Sequence, residues 1–467
     1  MTSATSAPLV TVYIANHNYG RFVQQAIESV LNQTLRDFEL IIIDDGSTDN
    51  SREIIERYSE RKNVIIVMQQ NRGLSVTNNI ALRMARGRYI VRLDADDYLD
   101  ENALRVLTEV LERNPDVGMV FPDYFVVDEE GTILEIVRRH DFDKVTLMDQ
   151  PAHGACTLVR RKCLLELGGY DESLDCQDGY ELWIRFIQHF RVQNVNLPLF
   201  YYRRHSQSLS HDETRILTTR AEIFEKLSHS KGRYLSAIAI VPVRGRVTDP
   251  QSPALRPLGG RALIDWTLEV ALQSKRLSDI LVTTPDEELL AYVAKNYENR
   301  VLTVKRDRRL ALPNTYIEDT LYHALKEYCR EHPAPDVLVV LYIESPFRQA
   351  RQIDSAIEAM EVFDTDTVIS VRPEMDMFYQ HNGAGLESLR KARLLRLERE
   401  ELYREAGQIY VVKRTFFEAK QQIVGGKVGH IVLDQQASLR LRSDWDWQVA
   451  ELYASRINKM NWPIGRI

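Results

Sequence analysis

The sequence predicts an α/β protein made of two three-layer α/β/α domains, each with a mostly parallel sheet between layers of helices. Three observations predict this. The 467 residues exceed one ordinary core and suit two domains of about 200 residues each. Short β-branched runs alternate with amphipathic stretches twice along the chain. A polar, glycine-containing break near 228–232 separates the two series, so we expect domains at 1–228 and 229–467.

The periodicity of apolar residues places the elements of both series. In the first series, strands are predicted at 9–14, 38–43, 64–68 and 89–93, and helices at 21–31, 51–61, 101–113 and 215–227. In the second series, buried strands are predicted at 235–241, 280–282 and 337–341. Residues 391–405 could form a basic amphipathic helix at a membrane surface, but their equal mix of charges favours an ordinary exposed helix.

Composition and charge exclude several classes of protein. The net charge of -7 provides no basic field for nucleic acid. No apolar run reaches the roughly 18 residues that cross a bilayer, and the N-terminus lacks a secretory signal. The four cysteines have neither zinc-site spacing nor disulfide density; they are Cys156, Cys163, Cys176 and Cys329. We therefore expect a cytoplasmic protein without a transmembrane segment or nucleic-acid partner, and peripheral membrane association stays open.

Polar clusters follow three strands of the first series. They occupy residues 15–20, 44–49 and 94–97. In open parallel sheets ligands bind beyond the carboxyl ends of the strands, so these clusters should face one crevice. Asp44 and Asp45 can accept hydrogen bonds from a nucleobase or ribose, and Gly46 permits a tight turn. An Asx turn that caps the next helix is the alternative interpretation.

The triplet Asp94-Ala95-Asp96 follows an apolar strand. We expect its two carboxylates to converge at the strand end. Hard oxygen ligands suit Mg²⁺ or Mn²⁺, which bridge protein carboxylates to diphosphate oxygens. The triplet therefore predicts a metal and diphosphate site, although acidic loops also contain such triplets by chance.

Several motifs resemble, in order, those of the family-2 glycosyltransferases of the GT-A fold. They are VTVYIANHNY at 10–19, SVLNQT at 29–34, IDDGSTD at 43–49, NRGLS at 71–75, GRYI at 87–90, LDADD at 93–97, LGGYDE at 167–172 and QDGYELW at 177–183. The resemblance covers about residues 8–210. It implies a metal-dependent inverting transfer of a sugar from a nucleotide-diphosphate donor. The acceptor would be a glycan, lipid-linked or protein group in surface polysaccharide or glycoconjugate biosynthesis.

This resemblance implies roles for single residues. Contacts to the nucleotide sugar are expected from Ala15, Asn16, Asn18, Asp44, Asp45, Asp94, Ala95, Asp96, Arg203 and Arg204. The metal, Mn²⁺ or Mg²⁺, is expected on Asp94, Asp96 and His205.

Asp178 is expected to be the general base that deprotonates the acceptor hydroxyl. Gln177 stands where the family carries Glu, and a helix cap is the alternative role for Asp178. A surface basic run is the alternative for residues 203–205. His153 and Cys156 are expected to line the acceptor pocket.

The second series resembles the cytidylyltransferases that activate sialic acids, the CMP-sialic acid synthetases. The matching motifs are VPVRGR at 241–246, RPLGGRALI at 256–264, ILVTTPDEE at 280–288, ESPFR at 344–348 and DWQVAE at 446–451. The resemblance implies a Rossmann-type nucleotide-binding fold and dimerisation through this domain. Three departures concern the active site: residues 247–253 lack lysine, Tyr342 replaces a Gln, and Arg440 and Arg442 replace the magnesium carboxylates.

We therefore expect a second domain that binds or dimerises without nucleotidyl transfer. Its candidate anion site consists of Arg244, Arg246, Arg348, Arg440 and Arg442. Solvated or Glu-paired arginines are the alternative interpretation. Two other functions stay open: a bifunctional enzyme that also makes a CMP-activated acidic sugar, and a non-catalytic binding or assembly protein.

Overall fold

The computed structural model forms two compact units. The first comprises residues 1–212 with 377–400, and the second comprises residues 213–376 with 401–467. The residues that the structure describes are 7–138, 154–174, 176–205, 213–230, 232, 234–374, 376, 378–381, 383–389 and 402–459.

The first unit is built on a mixed sheet. Its strands are β1 (Val10–Asn16), β2 (Phe38–Asp45), β3 (Val64–Gln69), β4 (Tyr89–Asp94), β5 (Tyr98–Leu99), β6 (Val117–Val127), β7 (Ile133–Val137), β8 (Leu158–Arg160) and β9 (Arg191–Arg203). Its helices are α1 (Val23–Leu31), α2 (Ser51–Glu56), α3 (Leu74–Met84), α4 (Ala103–Arg113), α5 (Arg161–Glu166) and α6 (Asp178–His189). The strand order is β3-β2-β1-β4-β8-β6-β9-β5, with β7 paired to β6. Strands β1 to β4 run parallel, and β8 is antiparallel to β4.

Helices cover both faces of this sheet, which explains the continuous apolar runs of its central strands. All eight residues of β2 are buried. Alternate side chains pack into two clusters: Val12 and Ile14 join one with α1 and α4, and Tyr13 joins the other with α3 and α6. Burial of each such side chain contributes about 1.5–3 kcal/mol. The packed sheet gives the loops at its carboxyl edge a rigid base.

The second unit has its own sheet. The strands that follow β9 are β10 (Ala237–Pro242), β11 (Pro257–Leu258), β12 (Arg261–Ala262), β13 (Leu277–Thr284), β14 (Leu302–Lys305), β15 (Val337–Leu341), β16 (Thr367–Glu374), β17 (Tyr379–His381), β18 (Leu386–Ser388), β19 (Leu402–Lys413) and β20 (Val428–Val432). The helices are α7 (Glu213–Ser230), α8 (Leu263–Gln273), α9 (Glu287–Tyr297), α10 (Ile317–Tyr328), α11 (Ala350–Phe363), α12 (Arg414–Lys420) and α13 (Asp444–Lys459). Among the described residues, seven strands form the sheet of this unit in the order β14-β13-β10-β15-β19-β16-β20, and the hairpin β17-β18 belongs to the first unit.

The predicted class, two α/β domains with central sheets, is confirmed. Two predicted helices differ from the structure. The helix expected at 51–61 ends at Glu56, and residues 402–405, expected to be helical, begin β19. There Leu402 pairs with Glu374 of β16, so strand pairing overrides the local helical pattern. The rest of that predicted helix, 391–401, lies outside the described residues. None of the helices in the described ranges has the length and apolar character needed to cross a membrane.

Candidate active site

The carboxyl ends of β1, β2 and β4 bring the three predicted polar clusters together. In the sheet register Asn16 pairs with Asp44, and Ala15 pairs with Asp94. Parallel strands end at the same edge, so residues that are 28 or more positions apart become neighbours. Ala95, in contrast, is fully buried in the apolar core, so its side chain belongs to packing.

Asp44 is buried and organises the turn after β2. Its Oδ2 accepts a hydrogen bond from Asn16 Nδ2 at 2.9 Å, and its Oδ1 accepts from Ser47 N at 3.0 Å and Arg52 Nε at 3.1 Å. Burial acts to raise the pKa of Asp44, but these hydrogen bonds together hold it below its usual value. The buried Asn16 Oδ1 has no partner among the described residues. It is therefore an acceptor that a donor group of a ligand could satisfy.

Asp45 accepts hydrogen bonds from the end of β3 and from the loop between β3 and α3. Its Oδ1 accepts from Gln69 Nε2 at 2.7 Å and Arg72 N at 2.8 Å, and its Oδ2 accepts from Gly73 N at 2.9 Å. Through the amides of Arg72 and Gly73, Asp45 positions the backbone just before α3. The contact of Asp45 with a nucleobase stays a prediction.

Two side chains near these carboxylates shape the loops. Asn18 Oδ1 accepts from Thr48 N at 2.8 Å, which ties the loop after β1 to the loop after β2. The Asx turn that the sequence allowed is made by Asp49, whose Oδ1 accepts from Ser51 N at 3.0 Å. The carboxylate oxygens of Asp44 and Asp45 already accept hydrogen bonds within the protein, and their contacts with a nucleobase or ribose stay predictions.

The two carboxylates of the D-x-D triplet have different partners. Asp94 Oδ1 lies 2.9 Å from Arg92 Nε, and the Asp94 side chain is 26% exposed. Burial raises the pKa of Asp94 to about 6; Arg92 lowers it, and the nearby Asp96 and Asp178 raise it. The Asp94 carboxylate is therefore paired with the Arg92 guanidinium.

Asp96 faces a histidine instead. Its Oδ2 lies 3.0 Å from His205 Nε2, and the imidazole packs against the rings of Tyr19 and Phe22 at 5.6 and 5.4 Å between centroids. In the described part of the chain, no three His, Cys, Asp or Glu side chains gather as a metal cluster. The expected ligand set of Asp94, Asp96 and His205 stays a prediction, with Asp96 and His205 as its adjacent pair.

Arg203 and Arg204 lie in contrasting surroundings. The Arg203 guanidinium is buried and donates to the carbonyls of Asp96, Asp128 and Glu129 at 2.8–3.0 Å. Arg204 is exposed, and its Nη2 lies 3.4 Å from a Glu135 carboxylate oxygen. Arg203 therefore stabilises the loops around the site through hydrogen bonds to their carbonyls. Contacts of Arg203 or Arg204 with the diphosphate stay predictions.

Asp178 is the first residue of α6. Its Oδ2 accepts from Arg92 Nη1 at 2.7 Å and from Asn78 Nδ2 at 2.9 Å. Gln177, with a φ of 59°, is the capping residue, and its side chain makes no cap hydrogen bond. The Asp178 carboxylate thus contacts β4 and α3, whereas the capping role would direct it to its own helix.

Arg92 and Asn78 were not predicted from the sequence. A charged residue inside the apolar strand YIVRLD was the available signal, because positions 92 and 94 share one face of a strand. Asn78 gave no comparable signal. A cavity beside these residues is lined by Tyr13, Arg92, Gly154, Tyr170, Gly179 and Trp183.

The predicted acceptor-pocket residues differ from this lining. Cys156 is fully buried in the apolar core, and its amide donates to the Arg92 carbonyl at 2.8 Å. Burial raises the pKa of its thiol, so it is an inert packing residue. His153 lies outside the described residues.

In the second unit, the five predicted arginines have different surroundings. Arg348 is 3% exposed and donates to the carbonyls of Tyr342, Gly407 and Gln408 at 2.7–3.1 Å. Burial lowers its pKa to about 9. Arg246 is exposed near Glu288, with 3.8 Å between Nη1 and Oε2. Arg348 therefore stabilises the fold. It could donate to an anion only if its hydrogen bonds to these backbone carbonyls were broken.

Arg440 and Arg442 line a cavity together with Arg404, Gln408 and Ser438. In the orientation that satisfies its neighbours, the Gln408 amide oxygen accepts from Arg440 Nε at 3.2 Å and Nη2 at 3.0 Å. The carboxylates of Glu405 and Asp446 also line this cavity, so its lining contains three arginines and two acidic residues.

A further arginine, Arg306, follows β14 and was not predicted. It is 4% exposed, and its Nε and Nη1 have no partner among the described residues. Burial and the nearby Arg244 lower its pKa to about 10. An unpaired buried cation is costly, so an anionic ligand would stabilise this arrangement.

Comparison with known proteins gave matches in both parts of the chain. The sequence model described as Glycosyl transferase family 2 matches residues 11–168, and that described as Cytidylyltransferase matches residues 238–453. An uncharacterized glycosyltransferase of Methanocaldococcus jannaschii is 32% identical over 213 residues, which cover 44% of this chain and 73% of that protein. Chondroitin synthase of Escherichia coli is 28% identical over 207 residues, which cover 44% of this chain but only 30% of the synthase.

A solved structure also resembles part of the chain. The crystal structure of S. aureus TarS 1-349 aligns with a TM-score of 0.39 and 16% identity, over 47% of this chain and 65% of that one.

Proposed function

The chain belongs to glycosyl transferase family 2, and from that premise we propose that it is a metal-dependent inverting glycosyltransferase. Its donor is a nucleotide-diphosphate sugar, and its acceptor is a glycan, a lipid-linked group or a protein in surface polysaccharide or glycoconjugate biosynthesis. The observation that carries this proposal is the bridge from Asp94 through Arg92 to Asp178 at one sheet edge. It would join a donor-side carboxylate to an acceptor-side carboxylate.

Asp96 and His205 would hold the metal. The Asp96 carboxylate, 3.0 Å from the His205 imidazole, would supply the oxygen ligand that Mn²⁺ and Mg²⁺ prefer, and the imidazole would be the second protein ligand. The bound metal would neutralise charge on the diphosphate. Asn16, the last residue of β1, would accept a hydrogen bond from the nucleoside through its Oδ1, which has no partner among the described residues.

Asp178 would accept the proton of the acceptor hydroxyl. Arg92 and Asn78 both donate to Oδ2, which leaves Oδ1 for the acceptor. As the acceptor oxygen bonds to the anomeric carbon, the bond from that carbon to the diphosphate oxygen breaks, and the nucleoside diphosphate leaves with the electron pair. The proton ends on Asp178.

Asp178→Asn tests this assignment. We expect sugar transfer to fall by about 10² or more, because the amide cannot take the proton. Donor binding should persist, measured as the rise in unfolding temperature with manganese and a panel of UDP-, GDP-, dTDP- and CMP-sugars. Asp171→Asn is the matched control, since Asp171 lies in a turn where its Oδ1 accepts from Ser173 N.

Three outcomes would contradict parts of the proposal. Unchanged turnover in Asp178→Asn would remove Asp178 from the mechanism. Donor binding that is equal with and without manganese would remove the metal. Failure of every donor to stabilise the protein would favour a non-catalytic binding protein.

For the second unit, we propose binding of an anionic nucleotide or acidic sugar without nucleotidyl transfer. The buried, unpartnered donors of Arg306 support an anion site beside Arg244. Arg440 and Arg442 line the cavity where the resemblance to cytidylyltransferases expects magnesium carboxylates, and arginines repel a metal ion.

CTP with magnesium, alone and with candidate acidic sugars, tests the second unit in the full chain. We expect CTP or an acidic sugar to raise its unfolding temperature without pyrophosphate release. Arg306→Met should lose this rise, and Arg300→Met, which changes an exposed arginine, should keep it. Pyrophosphate release would instead support the bifunctional enzyme, and an equal temperature rise in Arg306→Met would exclude Arg306 from the site.

A further inference from the structure

Arg92 lies between the two carboxylates on which the proposed function depends. It is placed on β4, two residues before Asp94 and on the same face of the strand. Its Nε is 2.9 Å from Asp94 Oδ1, and its Nη1 is 2.7 Å from Asp178 Oδ2. One guanidinium therefore contacts both the end of β4 and the start of α6.

The surroundings hold this guanidinium in one place. Arg92 is only 8% exposed, so its charge depends on protein partners. The backbone of Gly154 packs closely, because a Cβ built there would lie 2.4 Å from Arg92 Nη2. Arg92 is thus a fixed cation.

The second donor to Asp178 is also fixed. Asn78 Nδ2 donates to Asp178 Oδ2, and Asn78 Oδ1 accepts from Tyr13 OH at 3.1 Å. Tyr13 OH in turn lies 3.3 Å from Tyr170 OH. Both donors to Asp178 therefore converge on the same carboxylate oxygen, which sets the rotation of the carboxylate.

We propose that Arg92 is a positioning residue for sugar transfer, which holds Asp178 Oδ2 so that Oδ1 faces the acceptor hydroxyl. It acts through Asp178 and touches neither reactant. Through Asp94 it also links the orientation of this base to the donor side of the site. This inference rests on the proposed function, specifically on Asp178 as the base.

A double-mutant cycle tests the inference in the full chain. The variants are Arg92→Met, Asp178→Asn and the double variant. For each, kcat and KM are measured with the nucleotide sugar that the donor panel identifies, and kcat is normalised to the concentration of folded protein. We expect Arg92→Met to lower kcat by about 10² in the wild-type background, with donor KM changed by less than about threefold. In the Asp178→Asn background it should lower kcat by less than about threefold, because the base on which it acts is already absent.

Arg92→Lys provides a second variant if Arg92→Met folds poorly. Lysine keeps the charge but offers one point of contact, so it cannot reproduce the fork that joins two carboxylates. Arg92→Lys should have a kcat between those of Arg92→Met and the wild type. In the Asp178→Asn background, Arg92→Lys should change kcat only slightly. Unfolding temperatures of all variants identify losses that come from folding alone.

Each result has a separate meaning. If Arg92→Met lowers kcat by the same factor in both backgrounds, Arg92 has a general structural role and the inference is overturned. If Asp178→Asn keeps full turnover, the base assignment itself fails, whatever Arg92→Met does. An increase in donor KM with unchanged kcat would move Arg92 from positioning of the base to donor binding, and would also overturn the inference.

Discussion

At the scale of single residues, two chemically identical carboxylates in one short motif differ through their partners. Asp94 is paired with a buried arginine, and Asp96 with a histidine held between two aromatic rings. A carboxylate already paired with a cationic arginine attracts a metal less than one that faces an imidazole instead. We therefore place the proposed metal closer to Asp96 than to Asp94.

A second residue-scale feature is Glu358 on α11, which is buried in the second unit. Its carboxylate lies 3.1 Å from Arg351 Nη1 and is also near Arg276. Burial raises its pKa to about 7, and these arginines only partly oppose the rise. The other carboxylates of this cluster are Glu225, Asp354 and Glu361.

The raised pKa of Glu358 predicts a pH dependence of stability. An exposed glutamate has a pKa of about 4.3, so between that value and about 7 the folded state holds the proton more often than the unfolded chain. The free energy of unfolding should therefore fall as pH rises through this window. Denaturant unfolding at pH 5 and pH 7.5 measures this fall in the free energy of unfolding. The fall should be smaller in Glu358→Gln than in the wild type, because glutamine does not titrate.

Glu418→Gln is the control, because it removes an exposed carboxylate from α12. It should keep the pH dependence of the wild type. Identical pH profiles for Glu358→Gln and the wild type would contradict the raised pKa.

At the scale of elements, the turn after β2 depends on a glycine. Gly46 has a φ of +78°, and a Cβ built there would lie 2.5 Å from the backbone nitrogen of Asn71. Gly73, before α3, has a φ of +87° and no atom within 4 Å of a Cβ. Both glycines adopt a conformation that L side chains avoid, but only Gly46 is also crowded by backbone.

Gly46→Ala and Gly73→Ala separate strain from crowding. We expect Gly73→Ala to lower the free energy of unfolding by about 1–3 kcal/mol through backbone strain alone. Gly46→Ala should lower it further, because the Asn71 backbone must move. The denaturant midpoint measures both, and an equal or larger loss in Gly73→Ala would show that the contact with Asn71 has no cost.

At the scale of the whole molecule, each unit places some of its candidate residues at the carboxyl ends of parallel strands. In the first unit these residues follow β1, β2 and β4; in the second, Arg244 follows β10 and Arg306 follows β14. The charge differs between the two sites, because carboxylates dominate the first and arginines the second. This difference in charge supports the proposals of a metal with a diphosphate in the first site and of an anion without a metal in the second.

The sequence by itself determined the two α/β series, the polar clusters at strand ends and the family of the first domain. Apolar periodicity decides strands and helices locally, and the order of strands then places their ends together. The Gly46 turn also followed from the sequence, since only glycine adopts that backbone readily.

Only the tertiary structure decided which partner each charged residue has. Arg92 meets Asp178 across 86 positions, and Asp96 meets His205 across 109. Arg306 acquires its buried, unpaired donors from the packing of the second unit. No local pattern encodes such pairs, because they depend on how helices and loops pack on the sheet. Packing therefore turned a general prediction of a nucleotide-sugar site into a specific arrangement around Arg92.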